Sequence, residues 1–189
     1  MQHQSLIQDS RPVKTNWGEE EERESVESTR ETNPSKVQEL ANAFGFKVLE
    51  IEGDGNCFFS AVAAQIQKLL ESHDVSTSLI NYFHMLGIHC DASTKDMVRL
   101  LRRLIVQEWT GPFIEDYQPF FVGVDVQEEA RNFLENGHFS SSLGDSMPLA
   151  MANVLQIPIT ILAPHYLTPF ISVFPFMSRG LYPSFDVGI

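Results

Sequence analysis

The chain has 189 residues, of which 43% are hydrophobic, so it is long enough to form one domain with a buried core. Its formal net charge of −12 argues against a nucleic-acid partner, because phosphate binding requires clustered lysines and arginines. The two cysteines, Cys57 and Cys90, cannot form a disulfide framework, and no spacing of cysteine and histidine is typical of zinc.

No targeting or membrane segment is recognisable. The first ten residues are polar, and no apolar run approaches the length of a membrane span. We therefore expect a cytoplasmic or nuclear protein in a reducing setting, with no membrane partner.

Residues 1–34 are predicted to be a disordered, acidic extension. They carry an acidic run from Glu19 to Glu24 and few apolar side chains, too few to offset the entropy lost on ordering. A short interaction motif around Trp17 is the alternative. The folded domain is expected to span residues 35–189.

The domain is predicted to begin with a helix and a strand. Ser35 and Gln38 have the spacing of a capping box, and apolar residues then fall on one helical face as far as Gly45. Lys47 to Ile51 follows as a predicted strand. Apolar residues then recur at helical spacing from Cys57 to about Leu70, which predicts a second helix.

A long helix is predicted in the middle of the chain. Ser93 or Thr94 should cap it, and it should end near Trp109. Its apolar stripe consists of Met97, Val98, Leu101, Leu104 and Ile105. We expect the three arginines of this helix to lie on its other side: Arg99, Arg102 and Arg103.

The remaining elements predict an α+β (mixed α/β) fold, because strands come late in the chain and helices early. Shorter helices are expected at Asn81–Ile88, Ile114–Tyr117 and Asp125–Glu135, and a further one has Asp145 as its N-cap. Strands are expected at Ile159–Leu162, Phe170–Phe176 and Leu181–Phe185.

The stretch from Gly53 to Val62 combines a glycine-rich turn with a cysteine at the start of an apolar helix. Unpaired N–H groups and the dipole at a helix N-terminus favour a thiolate, so Cys57 is a candidate nucleophile. The same N–H groups could stabilise the oxyanion formed when a thiolate attacks a carbonyl. The alternative is an ordinary turn at Asp54-Gly55, with Cys57 as a small buried hydrophobic residue.

The sequence of this stretch, Gly-Asp-Gly-Asn-Cys-Phe-Phe-Ser-Ala-Val, resembles the nucleophile motif of the OTU (ovarian tumour) cysteine peptidases. A second block, Gly144 to Leu155 followed by Ile157 to Leu162, resembles the helix and central strand that pack behind the nucleophile helix in that family. The resemblance covers about Val37 to Ile189.

The resemblance implies a small central sheet packed between helices and a thiol-dependent deubiquitinase that acts without a metal or other cofactor. Cys57 would be the nucleophile, Asp54 would shape the loop, and the backbone around Gly55 and Asn56 would form the oxyanion hole. The implied partners are ubiquitin or ubiquitinated proteins, and the chain is expected to be a monomer.

No histidine of the sequence matches the position of the family's general base. The six histidines are His3, His73, His84, His89, His138 and His165. The family's histidine should follow the strand predicted at Leu181–Phe185, close to or beyond Ile189. We therefore expect the domain to be cut short before this histidine, either as a fragment or as a naturally shortened form.

Two other functions remain open from the sequence. A chain without the general base could be an inactive pseudo-enzyme that binds ubiquitin. A hydrolase acting on another substrate is also compatible, since substrate surfaces lie in loops such as Gly111–Gly123 and Gly137–Ser142.

Overall fold

A computed structural model describes residues 34–72, 74–139, 141–163 and 168–176 of the chain. The predicted extension at residues 1–34, apart from Pro34, lies outside the described residues. The same holds for the predicted strand Leu181–Phe185 and for His3, His73 and His165.

The described residues form seven α-helices, one 3-10 helix and two strands. The α-helices are α1 (Pro34–Ala43), α2 (Cys57–Glu71), α3 (Thr77–Met85), α4 (Thr94–Thr110), α5 (Val126–Phe133), α6 (Ser141–Gly144) and α7 (Met147–Leu155). The 3-10 helix, Ile114–Phe120, lies between α4 and α5. Strands β1 (Ile159–Leu162) and β2 (Phe170–Val173) pair antiparallel, with Ile159 opposite Val173 and Leu162 opposite Phe170.

Of the helix starts predicted at Ser93, Asp125 and Asp145, the first two are confirmed and the third is wrong. Ser93 caps α4 by accepting a hydrogen bond from the Asp96 N–H, and Asp125 caps α5 in the same way. The predicted cap Asp145 is exposed, and Ser146 is the N-cap of α7 instead. The Ser146 hydroxyl donates to the Leu143 carbonyl at 2.8 Å, so it ties the short helix α6 to the start of α7.

Helix α4 lies at the centre of the core. It packs against α2, α5, α7 and the 3-10 helix. Met97, Val98, Leu101 and Ile105 of its predicted apolar stripe are buried, together with Trp109 near its end. Burial of several large side chains on one helix makes α4 the element against which the others are positioned.

The predicted strand at Lys47–Ile51 is wrong. Residues 46–53 belong to no helix or strand, and the Leu49 side chain is 62% exposed. A cavity of about 510 Å³ lies between this segment, α2 and β1. The segment lines this cavity opposite β1, and it pairs with no strand of the described residues.

The described residues thus have an α+β composition, with a two-stranded sheet next to α7. The predicted strand at Phe170–Phe176 ends at Val173, and the loop expected at Gly137–Ser142 runs into the short helix α6. None of the helices described here is both long enough and apolar enough to cross a membrane.

Candidate functional site

Cys57 is the first residue of α2, and its side chain is exposed. Asn56 precedes it as the N-cap, but the Asn56 side chain makes no capping hydrogen bond to the helix. Within the described residues, the N–H groups of Cys57, Phe58 and Phe59 have no acceptor, as expected for a first helical turn. The prediction that Cys57 begins an apolar helix is confirmed, and the alternative of a buried Cys57 is wrong.

Asp54 organises the loop before Cys57. Its two carboxylate oxygens accept from the Asn56 backbone N–H and from the Asn56 side-chain amide, each at 2.9 Å. The hydrogen bonds from the Asn56 side chain and backbone hold the pKa of Asp54 below its ordinary value of 3.8, and the charge of Arg102 adds to this. Asp54 therefore favours a closed turn when it is ionised.

Asn56 connects this loop to two other parts of the chain. Its side chain is buried, and its Oδ1 accepts from Arg102 Nε at 3.0 Å and from the Gly137 N–H at 3.1 Å. The Asn56 N–H already donates to Asp54, so it does not point into an open oxyanion site. Asn56 acts in this structure as a brace for the loop.

Arg102 of α4 donates four hydrogen bonds at the site. Its Nη2 donates to the Gly55 carbonyl at 2.7 Å, and its Nη1 donates to the Phe133 and His138 carbonyls at 2.9 and 2.8 Å. The guanidinium also lies over the Phe59 ring, 4.6 Å from its centroid. Burial lowers the pKa of Arg102 below its ordinary value, and the negative charge of Asp54 partly offsets that effect.

The predicted outward position of Arg102 is therefore wrong. Arg102 is 1% exposed, whereas Arg99 and Arg103 are exposed as predicted. A signal was present in the sequence, because Arg102 falls four residues after Val98 and three before Ile105, on the apolar stripe of α4. A buried arginine requires several acceptors, and the loop carbonyls supply them.

Two glycines let the loop approach the connection between α5 and α6. Gly55 has φ +77°, and a Cβ placed on it would lie 1.8 Å from the Gly137 carbonyl oxygen. Gly137 has φ +81°, and a Cβ there would lie 3.0 Å from the Asp54 carbonyl oxygen. Both positions thus require glycine, for backbone conformation and for space.

No histidine among the described residues forms a hydrogen bond with Cys57 Sγ. His84 and His89 are exposed, with ring centroids 5.1 Å apart. His138 is half-buried beside the Phe133 ring, and its Nε2 lies 3.5 Å from Glu129 Oε2. The site thus presents a thiol and a braced loop without an imidazole partner in the parts of the chain described.

An apolar groove runs along α2. It is the cavity of about 510 Å³ noted above, and Phe58, Ala61 and Val62 of α2 form its floor. One wall is the segment that contains Lys47, Leu49 and Ile51, and the other is the chain from Leu155 to Ile161. The groove therefore begins next to the turn at residues 53–56, directly before Cys57.

The described residues contain no cluster of side chains suited to a metal ion. Cys57 and Cys90 are both free and exposed, and no group of three or more His, Cys, Asp or Glu side chains could hold a metal ion in these parts of the chain. Comparisons of the chain with models of protein families, with curated proteins and with solved structures found no match.

Proposed function

We propose that this chain is the domain of a cysteine hydrolase of the OTU type, acting on the bond that joins the C-terminal glycine of ubiquitin to another protein. The observation that supports this most is the exposed thiol of Cys57 at the start of α2, behind a loop braced by buried polar contacts. A thiol that served only for packing would need neither exposure nor such a loop.

In the proposed reaction, the Cys57 thiolate attacks the carbonyl carbon of that glycine. The carbonyl oxygen becomes an oxyanion, which the unpaired N–H groups of the first turn of α2, including that of Cys57, could stabilise. The tetrahedral intermediate collapses to a thioester, and the amine leaves with a proton. Water then hydrolyses the thioester and restores the thiol.

The other proposed site residues keep this arrangement in place. Asp54 and Asn56 close the turn, and Gly55 lets it approach Gly137. A general base is still required to take the thiol proton and return it to the amine. The resemblance assigns this role to a histidine that follows the strand predicted at Leu181–Phe185. The proposed protein is a cytoplasmic or nuclear monomer whose partners are ubiquitin and ubiquitinated proteins.

A ubiquitin probe with an electrophile at its C-terminus tests this function. The chain should be compared with a version extended by the downstream residues of its gene, and with Cys57→Ala and Cys90→Ala variants of that version. We expect the extended protein and its Cys90→Ala variant to become labelled, and the Cys57→Ala variant to remain unlabelled. An extended protein that is folded but does not react would contradict the proposal.

A ubiquitin-binding pseudo-enzyme is the second candidate. The observation that favours it is the lack of a hydrogen bond between Cys57 and any histidine of the described residues. A folded chain that binds unmodified ubiquitin, but whose extended version fails to react with the probe, would support this reading. A protein that does neither but hydrolyses simple thioesters would point to a different substrate.

A further inference from the structure

We propose that Arg102 is a positioning residue for the Cys57 thiol, and that through Arg102 and the Gly137 N–H the backbone of residues 133–138 controls how reactive this thiol is. The inference goes beyond the proposed function, because it concerns the thiol itself and holds for any electrophile. The Arg102 side chain acts on the thiol only through the residues that it contacts.

The guanidinium of Arg102 joins two parts of the chain. Four donor contacts leave Arg102: to Asn56 Oδ1 and the Gly55 carbonyl on one side, and to the Phe133 and His138 carbonyls on the other. A single planar group thus joins the residues directly before Cys57 to the segment after α5. The distances of 2.7–3.0 Å are those of well-formed hydrogen bonds.

The four contacts of Arg102 require the shape of a guanidinium. A lysine amine at this position would present three donors from one nitrogen, and it could not reach carbonyls on opposite sides at once. An apolar side chain would fill the space but would leave the buried acceptors without donors. The position therefore depends on a guanidinium rather than on positive charge or bulk alone.

A direct hydrogen bond between Asn56 and Gly137 also links these two parts of the chain. Asn56 Oδ1 accepts from both Arg102 and the Gly137 N–H, and the Gly55 backbone packs directly on the Gly137 carbonyl. A shift of residues 134–138 would therefore displace Asn56, which is the N-cap residue directly before Cys57. Loss of that turn would remove the sulfur from the field of the helix N-terminus.

The first test compares Arg102→Lys with Arg103→Lys, its exposed neighbour on the same helix. Each protein is treated with a limiting amount of iodoacetamide, and the alkylation rates of Cys57 and Cys90 are measured by mass spectrometry in the same molecule. We expect the Cys57:Cys90 rate ratio to fall about two- to five-fold in Arg102→Lys, the range expected when a charge loses a helix N-terminus. Arg103→Lys should keep the ratio of the original chain.

A ratio that is unchanged or raised in folded Arg102→Lys would overturn the proposal. The internal reference matters because a purely structural role would lower the melting temperature without changing the reactivity of one cysteine relative to the other in the folded protein. Since the assay needs no ubiquitin, its outcome is independent of whether the chain is a deubiquitinase.

A second pair of variants tests the contribution of residues 133–138 if Arg102→Lys does not fold. Gly137→Ala and Gly123→Ala both place a side chain at positive φ, but a Cβ on Gly123 would have no atom within 4 Å, whereas a Cβ on Gly137 would meet the Asp54 carbonyl. We expect Gly137→Ala to lower the Cys57:Cys90 ratio and to speed hydrogen exchange of residues 53–57. Gly123→Ala should do neither, and equal effects in the two variants would overturn the coupling.

Discussion

Two consecutive segments lead into α2, and they are held in different ways. Residues 54–56 carry two polar side chains and one glycine, and hydrogen bonds from Asn56, Arg102 and Gly137 fix them. Residues 47–52 are richer in apolar side chains, yet no backbone hydrogen bond joins them to the rest of the described chain. A short apolar run forms a strand only when it pairs with another strand, whereas this polar turn is fixed by hydrogen bonds within itself and to distant residues.

Replacing Arg102 should have the largest effect on stability. We expect Arg102→Met to lower the free energy of unfolding by about 3 kcal/mol or more, because four buried or part-buried acceptors lose the hydrogen bond that Arg102 donates. Urea denaturation measures this. Arg99→Met is the matched control, since Arg99 is exposed and its 3.5 Å contact with Asp96 should contribute less than about 1 kcal/mol. A loss of similar size in both variants would remove the distinction between the braced loop and the surface.

Gly55 should be the next most sensitive position. We expect Gly55→Ala to lower the free energy of unfolding by about 2 kcal/mol, from positive φ and from the overlap with the Gly137 carbonyl. Gly53→Ala, two residues earlier, meets no atom within 4 Å and should change stability by about 0.5 kcal/mol at most. Thermal denaturation of both variants checks this, and a harmless Gly55→Ala would mean that the loop does not need its close approach.

Acidification should weaken the braced loop through Asp54. Its pKa in the folded chain is held below 3.8, mainly by hydrogen bonds from Asn56, and returns to the ordinary value on unfolding. The ionised carboxylate therefore stabilises the folded state above the ordinary value, and this contribution is lost as the pH falls through the lowered folded value. The free energy of unfolding should differ more between the original chain and Asp54→Asn at about pH 6 than at about pH 3. An equal difference at both pH values would contradict the assignment.

The smallest effect is expected in the unpaired segment. Leu49 is 62% exposed, so Leu49→Ala should change the free energy of unfolding by less than about 0.5 kcal/mol. The same substitution at Leu101, which is fully buried in α4, should lower it by about 3 kcal/mol. A large loss at Leu49 would show that residues 47–52 are held in solution by contacts made through this side chain.

The sequence was sufficient to predict the elements that depend on periodicity and local capping. The start of α2 at Cys57, the cap Ser93 and the strand Ile159–Leu162 all follow from patterns within a few residues, and all are confirmed. These features depend on local conformation, which the sequence determines without knowledge of distant contacts.

The predictions that were wrong concern features that depend on contacts between distant parts of the chain. Arg102 is 46 residues from Asn56, and Asn56 is 81 residues from Gly137, so no local pattern indicates that they meet. The segment Lys47–Ile51 has the composition of a strand but pairs with no strand among the described residues. The candidate nucleophile could therefore be predicted, whereas the network that holds it could not.

The amide of Asn56 has only one workable orientation. Its oxygen faces the two N–H donors of Arg102 and Gly137, while its nitrogen faces the Asp54 carboxylate. Aspartate would set a second anion against Asp54, leucine would supply neither donor nor acceptor, and glutamine would be one methylene too long. A designer transplanting this turn into another scaffold would have to carry asparagine along with the cysteine.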